Sequence, residues 1–239
     1  MKKLILTAII AICASAAFAQ TNFQFHYDFG NNLYGKELSN RPKLTATIEN
    51  FTPDKWGSTY LFIDTNFGGN VMESVYGEIS REFRFWEAPV ALHIEYNGGL
   101  SGGGSYNDAY LFGGAYNWAS SDFSRTFSVQ AMYKYLARQQ VGSHHSWQFT
   151  TVWGVHFADG LCSFTGFADL WHDNSVAGNL VFCSEPQFWV NLNAMEKVDD
   201  DFKMSIGAEF EFSNCLVWPA TGINNKFYFI PTLAAKWTF

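Results

Sequence analysis

The amino-acid sequence predicts an all-β fold, a transmembrane antiparallel up-and-down β-barrel of about twelve strands. Three observations lead there. Apolar and polar residues alternate over segments of about ten residues, longer than an ordinary strand and about what a tilted strand needs to cross a bilayer. Aromatic side chains make up 18% of the chain, as nine Trp, eleven Tyr and 24 Phe. A soluble domain of this size has too small a core for so many rings, so many of them face something other than water. The final segment, KFYFIPTLAAKWTF from Lys226 to Phe239, carries Phe227, Phe229, Pro231, Leu233, Ala235, Trp237 and Phe239 in one register and ends on the ring.

The elements follow from the amino end. Lys2 and Lys3 precede an apolar run from Leu4 to Ala14, and Ala17, Phe18 and Ala19 then supply the small-x-small pattern of a signal-peptidase site. Residues 1–19 therefore read as a secretory signal that is removed, leaving residues 20–239 as one outer-membrane barrel domain. A lipoprotein would need a small residue before Cys13, where Ile12 stands. Beyond the leader no stretch of about 18 apolar residues occurs, which excludes helical spans. NFQFHYDF sets Phe23, Phe25, Tyr27 and Phe29 against Gln24, His26 and Asp28. FKMSIGAEFEF sets Phe202, Met204, Ile206, Ala208, Phe210 and Phe212 against Lys203, Ser205, Gly207, Glu209 and Glu211. Successive strand side chains point to opposite faces, so each run has one apolar and one polar side.

Such runs lie near 21–29, 43–51, 57–67, 74–85, 90–97, 107–117, 125–138, 145–157, 162–172, 179–191, 201–213 and 226–239, separated by turn formers such as TPDKWG, GGLSGGG, HDNSVAG and KVDDD. Their even number places both termini on one side, the periplasm. A secreted β-sandwich also alternates, but its strands are nearer five or six residues and its apolar face is dry. In lipid only a closed sheet or a helix satisfies every backbone donor and acceptor, so the last strand must zip to the first. Trp237 and Phe239 fit the assembly signal read by the barrel-assembly machinery. The partners expected from this reading are outer-membrane lipid and lipopolysaccharide, that machinery, and a small-molecule solute.

Composition removes other classes. The formal net charge of −7 becomes more negative once Lys2 and Lys3 leave, and no Lys/Arg-rich run exists, so a nucleic-acid polymer is not an expected partner. Cys162, Cys183 and Cys215 are an odd, scattered set without disulfide or zinc-ligand spacing, and no metal or cofactor is expected.

The polar register supplies the candidate lining: Asp28, Glu49, Asp64, Glu78, Glu82, His93, Glu95, Gln130, Lys134, Arg138, Gln148, His156, Asp169, Trp171, Glu185, Gln187, Trp189, Asn191, Glu209, Glu211 and Lys236. Tyr60, Phe62, Tyr110, Phe112, Tyr116 and Phe167 are assigned inward with Trp171 and Trp189, where flat rings stack on a solute face. Trp147, Trp153, Trp237 and Phe239 are assigned to the lipid face or its girdles. Ten acids, Asp28, Glu49, Asp64, Glu78, Glu82, Glu95, Asp169, Glu185, Glu209 and Glu211, oppose four bases, Lys134, Arg138, Lys203 and Lys236. That surplus predicts a passage that opposes anions, although the same charges also suit a salt-bridged plug.

HYDFG (His26 to Gly30), PDKWGSTYLFID (Pro53 to Asp64), EISREFRFW (Glu78 to Trp86), EYNGGL (Glu95 to Leu100), QAMYKY (Gln130 to Tyr135), FTGFADLWHD (Phe164 to Asp173) and SEPQFW (Ser184 to Trp189) resemble a family of outer-membrane proteins. That family is itself similar to the nucleoside-specific channel Tsx, a monomeric twelve-stranded barrel with a narrow, aromatic-bearing pore. The resemblance implies a monomeric channel in the outer membrane, with nucleosides as the favoured solute, and it transfers no individual contact residue.

Two alternatives stand beside the channel. Some twelve-stranded barrels are phospholipases with a His and a Ser two residues apart, and SHHSWQF offers His144 and Ser146, but the Asn-Gly that follows the serine in those enzymes is absent. A structural or adhesion barrel with a plugged lumen would usually carry long outer loops, whereas those near 30–42, 68–73, 98–106, 139–144, 173–178 and 214–225 are short. One residue strains the pattern: strict alternation puts Arg81 on the lipid face beside Ile79 and Phe83, where it must snorkel or mark a bulge.

Overall fold

The computed structural model describes residues 20–239 except 70, 141, 176 and 223, and the leader of residues 1–19 lies outside the described residues. The chain forms β1 (Gln20–Asp28), β2 (Leu44–Asp54), β3 (Gly57–Gly68), β4 (Val71–Phe83), β5 (Val90–Ser101), β6 (Gly104–Ala119), β7 (Arg125–Leu136), β8 (His145–Phe157), β9 (Cys162–Ser175), β10 (Gly178–Ser184), β11 (Gln187–Asn191), β12 (Met204–Asn214) and β13 (Phe227–Thr238). A five-residue helix α1 (Gly30–Tyr34) and a 3-10 turn (Gly35–Leu38) follow β1.

Every strand pairs antiparallel with its neighbours, and β13 closes on β1 from Asn22↔Thr238 to Asp28↔Thr232. The Phe239 N–H donates to the Thr21 carbonyl at 2.9 Å and extends that seam by one more bond. β10 and β11 both lie between β9 and β12, so they are two halves of one crossing, interrupted at Glu185 and Pro186. Proline lacks the donor that a central strand needs. The neighbours absorb the defect: the Glu185 N–H reaches the Phe167 carbonyl at 3.1 Å, and the Pro186 carbonyl accepts the Phe210 N–H at 2.9 Å. The result is a closed twelve-strand transmembrane barrel, and the expected run over 179–191 is this broken crossing.

Alternation sorts the side chains as lipid requires. Phe25 (46% exposed), Phe149 (51%) and Leu233 (58%) stand on the outer wall, while the adjacent Gln24, Gln148 and Thr232 are buried inside. β6 corrects the sequence reading. Tyr110, Phe112 and Tyr116 are 54%, 57% and 47% exposed on the outer wall, and the inward register is Ala109, Leu111, Gly113 and Ala115. Both registers of this strand are apolar, so hydropathy alone did not choose between them. Size does: Leu111 lies opposite Glu95 and Lys134, and Ala115 opposite Gln130, where the narrow interior leaves no room for a ring.

Arg81 does face outward, in an unbroken stretch of the β3–β4 ladder. Its guanidinium reaches the rim, bonding Asp54 at 2.7 and 2.9 Å and the Thr59 hydroxyl at 3.1 Å, with Phe83 beneath it at 5.1 Å. Snorkelling therefore accounts for it.

The exposed position of Phe112 near the middle of β6 makes a direct test. Phe112→Arg places a charge in hydrocarbon and is expected to cost roughly 2–4 kcal/mol, read as loss of the heat-sensitive fast-migrating band of detergent-folded protein on unboiled gels. Near-neutral behaviour would mean that Phe112 faces the lumen.

Candidate functional site: the barrel lumen

Of the predicted lining residues, Asp28, Asp64, Glu78, Glu82, His93, Glu95, Gln130, Lys134, Asp169, Trp171, Gln187, Trp189, Glu209 and Glu211 share the inward register, and Glu185 lies in the break between β10 and β11. Arg138 does not. It follows β7 at the outer rim, where it pairs with Asp108, and Asp108 also accepts from the Tyr96 hydroxyl at 2.7 Å. Lys203 lies in the exposed turn before β12.

The inward carboxylates meet mostly neutral donors. Asp64 accepts from the Thr47 hydroxyl at 2.5 Å, Glu78 from the Tyr76 hydroxyl at 2.7 Å, Asp169 from the Thr150 hydroxyl at 2.5 Å and Glu209 from the Gln187 amide at 2.7 Å. His93 lies between Glu82 at 3.5 Å and Glu95 at 3.0 Å, and Glu82 also takes the Asn117 amide at 2.6 Å.

Two lysines enter the lumen over indole rings. Lys134 Nζ lies 4.5 Å from the Trp171 centroid and donates to Gln148 Oε1 at 2.7 Å. Lys236 Nζ lies 4.1 Å from the Trp189 centroid. Trp189 is fully buried and donates to Gln187 Oε1 at 3.0 Å. It sits against Gly207, where a Cβ would fall 2.6 Å from the ring and 2.1 Å from the Phe188 carbonyl, so this position excludes any side chain. Trp189 is thus a wall element and offers no face to a solute. Trp171 keeps partial exposure. Val152, in the inward register of β8 between Thr150 and Gly154, remains 39% exposed, so side chains do not fill the lumen at its level.

At the end of the barrel where β1 finishes, the segment after β1, which alternation could not place, packs against β13 and reaches the lumen. Leu38 is fully buried against Val217, Tyr228 and Ile230. Arg41 bonds Asp28 at 2.8 Å and also Glu211, which brings into the lumen a cation that period-two reading could not assign to any strand face. Gly30 makes this entry possible: its N–H donates to Asp28 Oδ1 at 2.7 Å, and a Cβ there would meet Asp28, Ile230 and Arg41 within 3.2 Å. Tyr34 exchanges bonds with the Phe229 backbone at 3.0 and 3.2 Å, capping the edge of β13 above its pairing with β1. Glu37 ties the segment to the chain just before and at the start of β13, accepting from Lys226 at 2.8 Å and from the Tyr228 hydroxyl at 2.7 Å, while its carbonyl takes the Ala220 N–H at 2.8 Å.

His144 and Ser146 do not meet as a catalytic pair. His144 Nδ1 bonds the Leu136 carbonyl at 2.7 Å and its ring stacks on Tyr135, whereas the Ser146 hydroxyl donates to the His172 carbonyl. Among the described residues, no group of three or more His, Cys, Asp and Glu side chains is placed to hold a metal ion.

The profile of the family described as a domain of unknown function, DUF5020, matches residues 19–239, nearly the whole chain. The chain belongs to that family. No protein of curated function matches the sequence. Among solved structures, the NanC porin aligns at TM-score 0.58 with 11% identity, covering 92% of this chain and 100% of that one. OccK5 (OpdH) of Pseudomonas aeruginosa aligns at TM-score 0.43 with 8% identity, covering 91% of this chain and 62% of that one. The outer membrane protein Omp33 of Acinetobacter baumannii aligns at 0.42 with 11% identity, covering 93% and 98%. The NanC porin likeness establishes the fold, a closed transmembrane β-barrel.

Hydrogen bonds from Lys226 and Tyr228 hold the Glu37 carboxyl below its ordinary value. A depressed carboxyl stabilises its contact fully above the ordinary carboxylate range and loses it as pH falls through the lowered value. Acidification below about pH 4 is therefore expected to loosen the mouth segment, seen as added open-channel noise in planar bilayers. Glu37→Gln should show that noise already at neutral pH and respond less to acid. A quiet, acid-insensitive Glu37→Gln channel would show that the contact does not hold the segment.

Proposed function

We propose that the protein is a passive channel for small hydrophilic solutes that prefers cations to anions, with nucleosides as the favoured solutes. The observation that carries the reading is the charge balance of the lumen. Asp64, Glu78, Asp169 and Glu209 lean on neutral donors, while the cations Arg41, Lys134 and Lys236 are held by carboxylates, an amide or an indole face. In a confined passage this surplus is weakly screened and repels anions, while neutral solutes avoid the barrier. Exposed Val152 supports an unfilled passage, and partly exposed Trp171 supplies the flat face that Trp189 does not. The nucleoside preference rests on the resemblance to the Tsx-like family. The cleaved leader, recognition of Trp237 and Phe239 by the assembly machinery, contact with lipopolysaccharide and a monomeric state belong to the same reading.

Reconstituted protein is expected to give a cation-selective reversal potential in a potassium chloride gradient. In liposome swelling, nucleosides should enter several-fold faster than the corresponding nucleotides, and Trp171→Ala should lower nucleoside flux without lowering small-ion conductance. Chloride preference, or equal flux of nucleoside and nucleotide, would overturn the reading.

A further inference from the structure

One layer of the lumen has more acceptors than donors. Glu78 of β4, Glu95 of β5 and Asp169 of β9 face inward from separate strands: Glu95 lies across from Leu111, which is itself the ladder partner of Lys134 on β7, Glu78 lies across from Asn97, two residues from Glu95, and Asp169 stands two residues from Trp171, on which Lys134 rests. Lys134 donates to Gln148 Oε1, and its ammonium rests on Trp171. Glu78 and Asp169 each take a single hydroxyl, from Tyr76 and Thr150, and Glu95 takes His93.

A second observation is independent of the carboxylates. Asn97 lies directly across from Glu78 on the β4–β5 ladder, in the inward register, only 3% exposed. Its Oδ1 has no hydrogen-bond partner among the described residues. A buried amide oxygen without a donor is costly, and carboxylates without full compensation are costlier. The carboxylate surplus, the orphaned carbonyl oxygen and the neighbouring indole face all call for the same chemistry. A primary ammonium supplies three donors, one positive charge and an alkyl body that lies well on a ring. The protein already demonstrates the fit, because Lys134 places an alkylammonium over Trp171 within this layer.

We propose that Glu78, Glu95, Asp169 and Asn97, beside Trp171, form a subsite for the ammonium group of an alkylamine solute, adjacent to the tethered ammonium of Lys134. The subsite deepens the channel reading by naming the solute chemistry that the constriction recognises, and it rests on the same lumen. Lys134 sets its affinity: it offsets one of the three carboxylate charges, so an amine is held weakly enough to leave again.

The experiment is equilibrium binding to the detergent-folded full chain, by calorimetry at constant ionic strength. The probes are ethylammonium, butane-1,4-diammonium and, as the neutral counterpart, butane-1,4-diol. The diammonium is expected to bind saturably at one site and the diol not to bind. Lys134→Met removes the resident charge and should tighten ethylammonium about tenfold, whereas Asn97→Ala and Asp169→Asn should each weaken the diammonium about tenfold or more. Fast migration of unboiled protein verifies that each variant is folded, and the wild-type titration is decisive by itself if one is not. Equal binding of amine and diol, or amine binding unchanged in both Asn97→Ala and Asp169→Asn, overturns the proposal. Binding without flux would overturn the channel reading and leave the subsite standing; flux without amine binding would do the reverse.

Discussion

Everything in this molecule depends on the pairing of β1 with β13. In hydrocarbon an open sheet edge leaves a row of donors and acceptors with nothing to bond, and a closed sheet removes that cost. Seven residue pairs from Asn22↔Thr238 to Asp28↔Thr232 make the closure. Once it exists, each strand has a lipid side and an enclosed side, and the sequence must populate both. Rings that would be a liability on a soluble surface cover the outside, and groups too polar for lipid gather in a narrow space where they must satisfy one another. The crowded carboxylates of the lumen are thus a direct result of closing a small barrel.

That crowding explains the arrangement of the cations. Lys134 and Lys236 lie flat on indoles rather than pointing freely into the passage, which compensates for lost hydration with ring and amide contacts. Arg41 is different, since it comes from a connecting segment and closes on Asp28 and Glu211 from above. The enclosed wall from β11 through β12 and β13 to β1 is consequently dense, with Trp189, Ser213 and Gln24 fully buried, whereas the wall around Val152 is not.

The strands were legible because period two is a local signal: the run expected over 145–157 is β8 residue for residue, and the broken crossing at Pro186 still read as one segment. The face of β6 was not legible. Its registers are both apolar, and the deciding factor, the volume left opposite Glu95 and Lys134, belongs to the assembled barrel. The mouth segment was hidden for another reason. Residues 30–43 have no strand period, so nothing local announced that Leu38 would be buried or that Arg41 would reach two carboxylates. Arg138 failed similarly, since it lies past the end of β7, where counting alternate residues no longer reports direction. Asn97 could be placed on the inward face by counting, but its unmatched oxygen emerges only when all neighbours are present.

The closure at Asn22↔Thr238 also has a topological meaning. The seam is an ordinary ladder, made by the same bonds as every other strand contact, and only chain connectivity distinguishes it. The two ends of the barrel lie side by side on one rim. A short peptide joining them, with the chain reopened at the exposed Gly102 and Gly103 turn, would retain all the pairings and merely relocate the seam to β5 and β6. Such a circular permutant separates two properties that the natural chain combines: which strands are mutually stable, and which strand reaches the membrane last.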